Sequence, residues 1–176
     1  MRFEAYRWLL IPVIAIHNLE EWATLPTLGS MAPALSTRTV IRFAETPWRV
    51  MEVGWVLATL LPAAVVFAAS RARQHRSLDI LVCWVAALYL ANVLLPHAIE
   101  LALGGGYAPG LATAFLVNLP FCSLLLRQAV RENIVTGREL AAIVAVGFVS
   151  LVPVLVAVLW LASAVTQAFG PVPVVR

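Results

Sequence analysis

The sequence predicts an all-α integral membrane protein, a helical bundle of about five transmembrane helices. Composition is the first reason: the 176-residue chain is 62% hydrophobic and 12% charged, whereas soluble domains carry about 25% charged residues. The second reason is the mean hydropathy of +0.92. The third is pattern, because the apolar residues form segments near the roughly 20 residues that a helix needs to cross the hydrocarbon core. The folding solvent is therefore expected to be mostly lipid, and we expect lipid contacts and no nucleic-acid partner.

The predicted helices form a single domain over residues 1–176. Arg2 and Arg7 precede a short apolar run that resembles a signal peptide, but no small-residue cleavage site follows, so we expect a retained first helix. Thr46-Pro47 is typical of a helix start, with a cap residue and proline at the first helical position. The expected spans are residues 6–24, 47–70, 78–103, 110–126 and 139–169.

Two prolines and two cysteines lie inside these apolar segments. Pro120 and Pro153 predict bends in the fourth and fifth helices, because proline lacks the N–H that the helix ladder needs. Cys83 and Cys122 are predicted to be buried free thiols, since a secreted disulfide framework does not fit a membrane bundle.

The distribution of arginine predicts the orientation. Cytoplasmic loops of membrane proteins carry an excess of basic residues. With five spans, one side of the membrane holds eight arginines and the other holds four. We therefore expect the amino terminus in the cytoplasm and the carboxy terminus outside.

Two segments place histidine beside carboxylates within the apolar chain. His17-Asn-Leu-Glu20-Glu21 closes the first span, and His97-Ala-Ile-Glu100 closes the third. Ionisable groups cost roughly 2.5–3.5 kcal/mol each at the centre of a membrane helix, so such residues usually have a function. Residues three and four positions apart share a helix face, which gives each histidine a carboxylate neighbour. Both segments are expected at the outer side of the membrane.

The two segments predict a shared metal site. A di-iron bundle uses a similar pair of Glu and His at three-residue spacing, and mixed nitrogen and oxygen ligands suit zinc, iron or manganese. We expect Glu20 or Glu21 to serve as the catalytic base. The expected metal ligands are His17, Glu20, His97 and Glu100, and the expected binding neighbours are Glu52, Asn92, Tyr107 and Asn118.

Structural roles for the same residues remain open at this stage. The Glu20-Glu21 pair could sit among lipid headgroups, and His97 could bond to Glu100 only for packing. Glu52 could be a favourable acidic residue at a helix amino terminus. Arg42 or Arg49 could neutralise any of these carboxylates.

The residues also carry a family resemblance. His17-x-x-Glu20-Glu21, then Asn92 ahead of His97, then Tyr107-Ala-Pro-Gly-Leu-Ala-Thr113-Ala resemble the HXXEE family, small bacterial membrane proteins of unknown function. The resemblance covers about residues 8–127 and implies a multi-pass protein of the bacterial cytoplasmic (inner) membrane. It implies no activity.

Two functional hypotheses follow, and they leave open whether the protein is an enzyme. The first is a metal-dependent membrane enzyme that acts on a lipid-like or other apolar substrate. The second is a small transporter or ligand-binding membrane protein that uses the His/Glu cluster as a proton relay or cation site. A transporter of this size would require a homodimer to enclose a pathway. A purely structural subunit explains the clustered carboxylates least well.

Overall fold

The computed structural model describes residues 2–28, 46–72, 75–102 and 107–169, and these ranges are helical with no β-strand. Within the described ranges, five helical rods follow one another, and the third and fourth rods are each composed of three consecutive segments. The rods are α1, Phe3–Leu28; α2, Trp48–Arg71; α3, Arg76–Asn92 continued by Val93–Ala98 and Ile99–Ala102; α4, Leu111–Thr113 continued by Ala114–Asn118 and Leu119–Arg131; and α5, Gly137–Ala168. The all-α prediction is confirmed.

Helices α2 to α5 contain segments long and apolar enough to cross a membrane. α1 is not among them, although it is 26 residues long. Its second half holds His17, Asn18, Glu20 and Glu21, which lower its hydropathy. The composition of four helices therefore supports a membrane protein, whereas the fifth crossing and the orientation stay predictions.

The helix bounds differ from the predicted spans at several ends. α1 extends to Leu28 and α4 extends to Arg131, several residues beyond the predicted ends. The N-cap position is Pro47, one residue after the predicted cap at Thr46, and Trp48 is the first helical residue. Pro153 lies inside the continuous helix α5. Arg38 and Arg42, in the long first connection, lie outside the described residues.

α3 and α4 each contain a π-helical turn that the sequence analysis did not predict. The turns are Val93–Ala98 and Ala114–Asn118. A proline accompanies each one: Pro96 lies inside the first, and Pro120 follows the second by two residues. Since proline cannot donate to the carbonyl one turn earlier, a wider turn is one way for the helix to accommodate it. Such turns are frequent at functional sites.

The bundle is centred on α3, which packs against α2, α4 and α5. α5 approaches α3 closely at Gly147, where an added Cβ would lie 2.9 Å from the Cβ of Ala87. Most of α5 faces outward, with Val149 79% exposed and Trp160 72% exposed. That exposed apolar surface is typical of a lipid-facing helix.

The end of the bundle that holds the amino terminus is closed by ionic and polar contacts. The buried guanidinium of Arg7 donates to Asp79 at 3.0 Å and to the carbonyl of Ala69 at 3.2 Å. α1 is thereby joined to both α2 and α3. Cys83 and Cys122 are free and buried, which confirms the prediction for both.

Candidate metal centre

Three side chains from two helices converge near the opposite end of the bundle. Oε1 of Glu21 lies 3.3 Å from Nε2 of His17 and 3.4 Å from Nε2 of His97. One ligand atom from each residue lies within 4.8 Å of the other two. A tetrahedral ion with ligand bonds of 2.0–2.2 Å has ligands about 3.4 Å apart, so these separations suit a single ion. His17 is 1% exposed and His97 is 4% exposed.

The local helix geometry explains this convergence. Glu21 follows His17 by four residues, which places both side chains on one face of α1. His97 belongs to the π-helical turn of α3. The extra residue in that turn changes the direction of the side chains that follow, and His97 points toward α1. The imidazole rings of the two histidines are 5.3 Å apart and nearly perpendicular.

Neighbouring groups hold two of these three side chains in place. Nδ1 of His17 lies 2.9 Å from the hydroxyl of Thr113, and that hydroxyl donates to the carbonyl of Gly110 at 3.3 Å. The indole N–H of Trp55 donates to Oε2 of Glu21 at 2.8 Å. Partners of this kind fix the tautomer and orientation of residues that bind metals.

The Thr113 hydroxyl donates to the carbonyl of Gly110, so its lone pair can accept from Nδ1–H of His17. In that tautomer Nε2 of His17 presents its lone pair toward Oε1 of Glu21, and a cation bound at this point would offset the repulsion between them.

Asn92 lies against the same atoms. Its amide nitrogen is 3.1 Å from Nε2 of His17 and 3.5 Å from Nε2 of His97. An amide N–H is a hydrogen-bond donor, so Asn92 can donate to Nε2 of His17, and an ion held by that nitrogen would replace this hydrogen bond. Asn92 is one of the expected binding residues, and that binding role stays a prediction.

Glu20 points away from the histidines and caps α4. Its carboxylate accepts the backbone N–H of Ala112 at 3.2 Å and of Thr113 at 2.7 Å. The phenol of Tyr107 donates to the same carboxylate. Burial and this hydrogen bond to Glu20 raise the pKa of Tyr107. A negative charge at a helix amino terminus is stabilising, because the first N–H groups of a helix have no intrahelical partner.

Gly110 is the closest backbone approach to the cluster. Its φ of +79° is in the left-handed region, which favours glycine. A Cβ at this position would lie 2.6 Å from Cγ of Glu21 and 3.0 Å from Cε1 of His17. The start of α4 therefore packs directly against α1, and position 110 accommodates only glycine.

The remaining predicted site residues lie apart from this cluster or outside the description. Glu52 accepts indole N–H groups from Trp48 at 2.9 Å and Trp22 at 3.4 Å, in exposed positions. Asn118 is fully buried in α4. The side chain of Glu100 lies outside the described residues. Catalytic and metal-binding roles for all these residues stay predictions.

Sequence reasoning gave no role to Trp55, Thr113 or Gly110. Gly110 and Thr113 belong to the stretch that carried the family resemblance, so their spacing was a usable signal. Trp55 offered none, because tryptophan in an apolar helix is most often a packing or interfacial residue.

A comparison with known protein families matches the part of the chain that contains the residues of this site. A family described as "Protein of unknown function with HXXEE motif" matches residues 8–125. The chain belongs to this family. In this member of the HXXEE family, the histidine and the second glutamate of the motif are His17 and Glu21, which contact each other. The matched range includes most of α1, all of α2 and α3 and most of α4, and it excludes α5.

A relative from Bacillus subtilis (strain 168), named "Uncharacterized protein YrkK", is 34% identical over 67 residues. That match covers 36% of this chain and 42% of the relative, so the chain spans less than half of the relative's length. No solved structure matches the HXXEE chain.

Proposed function

We propose that this HXXEE protein is a metal-dependent enzyme of a bacterial cytoplasmic membrane that acts on a lipid-like, apolar substrate. One divalent ion would be held by His17, Glu21 and His97. The observation that carries the proposal is the convergence of two imidazole nitrogens and one carboxylate oxygen at separations that suit one ion.

The ligand set supports zinc, iron or manganese. Two nitrogens and one oxygen form the three-residue pattern of catalytic zinc sites, which leave a position for water or substrate. Non-haem iron is also held by two histidines and one carboxylate. Thiolate sulfur, which copper(I) prefers, is not part of the group.

The position of the cluster favours an enzyme over a transporter. Between His17 and the amino end of α1 lie Ile14, Val13 and Leu10, whose side chains are all buried and apolar. A transport path needs polar groups on both sides of the binding site, whereas an enzyme needs a dry pocket with one entrance. The apolar interior therefore supports a site at partial depth that an apolar substrate reaches from one side.

The two glutamates of the motif, Glu20 and Glu21, have different roles in the proposed chemistry. A bound divalent ion would polarise a substrate oxygen or lower the pKa of a bound water. Glu21 is assigned to the ion, and Glu20 is disfavoured as the base because its carboxylate already accepts three hydrogen bonds. Trp55 would keep Oε1 of Glu21 toward the histidines through its bond to Oε2.

Elemental analysis of the full-length protein, purified in detergent after growth with zinc, iron and manganese, tests the metal. We expect about one equivalent of one metal in the wild type and its loss in His17→Ala and His97→Ala. His75→Ala is the matched control, because His75 is exposed and lies at the other end of the bundle. A folded wild-type protein that holds no metal, even after direct addition of each ion, would overturn the proposal.

A second experiment separates enzyme from transporter. The protein is placed in vesicles made from a bacterial lipid extract, and mass spectrometry follows every lipid species with and without chelator. An enzyme consumes at least one species only when the metal is present, and Glu21→Gln abolishes that change. Uptake of the metal ion into the vesicles with no lipid change would instead support the transporter.

A further inference from the structure

The side-chain amide of Asn92 lies against both imidazole nitrogens of the candidate metal centre. Its Nδ2 atom is 3.1 Å from Nε2 of His17 and 3.5 Å from Nε2 of His97. Oε1 of Glu21 lies 3.3 Å and 3.4 Å from the same two nitrogens. The amide and the carboxylate therefore each meet the pair of imidazoles at close to the spacing of about 3.4 Å that separates the ligands of a tetrahedral ion.

The π-helical turn of α3 explains why Asn92 and His97 reach the same point. In an α-helix, side chains five residues apart are separated by about 140° around the axis and lie on different faces. A π-helical turn is wider, and its hydrogen bonds join residues that are five apart. The turn Val93–Ala98 begins directly after Asn92 and contains His97. It thereby lets both side chains approach His17.

The amide cannot keep its N–H groups toward the imidazoles when an ion is bound. As a donor, Nδ2 uses the lone pairs of the two Nε2 atoms, and these are the lone pairs that would hold the ion. A cation would also repel the positive ends of the N–H groups. Rotation of the amide by half a turn exchanges Nδ2 for Oδ1 without moving the backbone. The contacts with the imidazoles that this rotation gives up are the ones that the ion replaces.

An amide oxygen suits the proposed ion and its chemistry. Carbonyl and carboxylate oxygens suit manganese, and imidazole nitrogens suit zinc and iron. Because the amide is neutral, a divalent ion keeps one positive charge in excess over the carboxylate of Glu21, and it can still polarise a substrate oxygen. Catalytic zinc can expand from four ligands to five in the transition state. A fourth protein ligand is therefore compatible with catalysis.

We propose that Oδ1 of Asn92 is a fourth protein ligand of the ion, and that the amide reaches this position by rotation. This inference deepens the proposed function, and it rests on that function for the presence of the ion. The π-helical turn then has a defined role, because it allows one helix to supply an oxygen ligand and a nitrogen ligand to the same ion. A substrate oxygen binds as the fifth ligand.

Two substitutions at position 92 separate a ligand from a hydrogen-bond donor. Asn92→Asp keeps an oxygen and has no N–H group, whereas Asn92→Leu has neither. Asn92→Asp should bind the metal found in the wild type at least as tightly as the wild type does. Asn92→Leu should bind it roughly tenfold or more weakly, since even groups that only support a ligand change affinity by about 10–100-fold.

These affinities are measured on the full-length protein in detergent, by competition with a fluorescent chelator. Thermal unfolding checks that each variant is folded, and Asn92→Ala replaces the leucine variant if the latter does not fold. Gln167→Leu is the matched control and should bind the metal as the wild type does. It removes an exposed amide of α5 that donates to Ser163.

A spectroscopic measurement detects the bond itself. The full-length protein is made with asparagine that carries carbon-13 at the side-chain carbonyl, and it is loaded with manganese(II). Pulsed electron paramagnetic resonance should find a carbon-13 nucleus about 3 Å from the ion, the separation that a metal–oxygen bond followed by a C=O bond allows. The signal should vanish in Asn92→Asp, which has no label at position 92.

Two results would overturn the inference while the metal proposal stands. If Asn92→Asp binds the metal as weakly as Asn92→Leu, the amide acts through its N–H groups. If bound manganese(II) shows no carbon-13 coupling, the amide oxygen is not a ligand. A wild-type protein that binds no metal contradicts the proposed function itself, and this inference with it.

Discussion

Glu20 and Glu21 are consecutive in the chain, yet their carboxylates bind different parts of the molecule. Glu20 accepts the N–H groups of Ala112 and Thr113, whereas Glu21 lies against the nitrogens of His17 and His97. Successive residues on a helix are separated by 100°, so neighbouring side chains cannot share a partner easily. The two glutamates of the motif are therefore expected to serve separate purposes, one to fix α4 and one to complete the candidate site.

Glutamine substitutions should separate these two purposes. Glu20→Gln removes the charge at the start of α4 and should lower the free energy of unfolding by about 1 kcal/mol, while the metal content is kept. Glu21→Gln should lose the metal. Thermal unfolding in detergent and elemental analysis of both variants give the comparison. Loss of metal in Glu20→Gln, with none in Glu21→Gln, would reverse the assignment.

Gly110→Ala should disturb the site from the backbone side. The new Cβ meets Glu21 at 2.6 Å, and the φ of +79° is strained for alanine. We expect a loss of about 1–3 kcal/mol of stability and a weaker metal affinity. Gly137→Ala is the matched control, because nothing lies within 4 Å of its added Cβ and the position has no left-handed φ. If the two variants unfold at the same temperature, α4 does not seat on α1 as described.

The contact between α5 and α3 should depend on Gly147. Gly147→Ala places a Cβ 2.9 Å from that of Ala87 and 3.0 Å from its backbone carbon, which should cost about 1–3 kcal/mol. Adding Ala87→Gly should restore part of this loss, because it removes the side-chain clash but leaves the backbone one. A double-mutant cycle of unfolding free energies measures the coupling. Strict additivity of the two changes would contradict the close approach.

The bond between Tyr107 and Glu20 predicts a dependence on alkaline pH. The folded pKa of Tyr107 is raised by burial and by its bond to Glu20, so the phenol holds its proton more strongly than in the unfolded chain. The stability from this bond is fully present below the unfolded pKa of about 10. It is lost as the pH rises through the higher, folded value.

Ultraviolet titration of the tyrosines in the wild type and in Tyr107→Phe should identify the deprotonation step of Tyr107. In Glu20→Gln the step should move to lower pH, because the carboxylate that favours the protonated phenol is gone. A step that stays at the same pH in that variant would show that Glu20 does not hold Tyr107.

The sequence by itself determined the class of the protein and the residues worth following. Apolar segments of membrane-spanning length predicted helices, and the described part of the chain contains five helical rods close to the expected bounds. The cost of burying histidine and glutamate in lipid singled out the two His/Glu segments, residues 17–21 and 97–100. Of these residues, His17, Glu21 and His97 converge in the structure. Helical spacing alone also predicted that Glu21 shares a face with His17.

The tertiary structure decided which carboxylate meets the histidines. Glu20 and Glu21 follow His17 by three and four residues, so helical spacing alone allows either carboxylate to contact His17. The packing of α4 against α1 at Gly110 decides between them. It brings the start of α4 to the carboxylate of Glu20, and Glu21 contacts the histidines. The π-helical turn that carries His97 and the bond from Trp55 also depend on contacts between distant segments. Local periodicity fixes the face of a single helix, whereas the position of a partner helix depends on packing that involves the whole bundle.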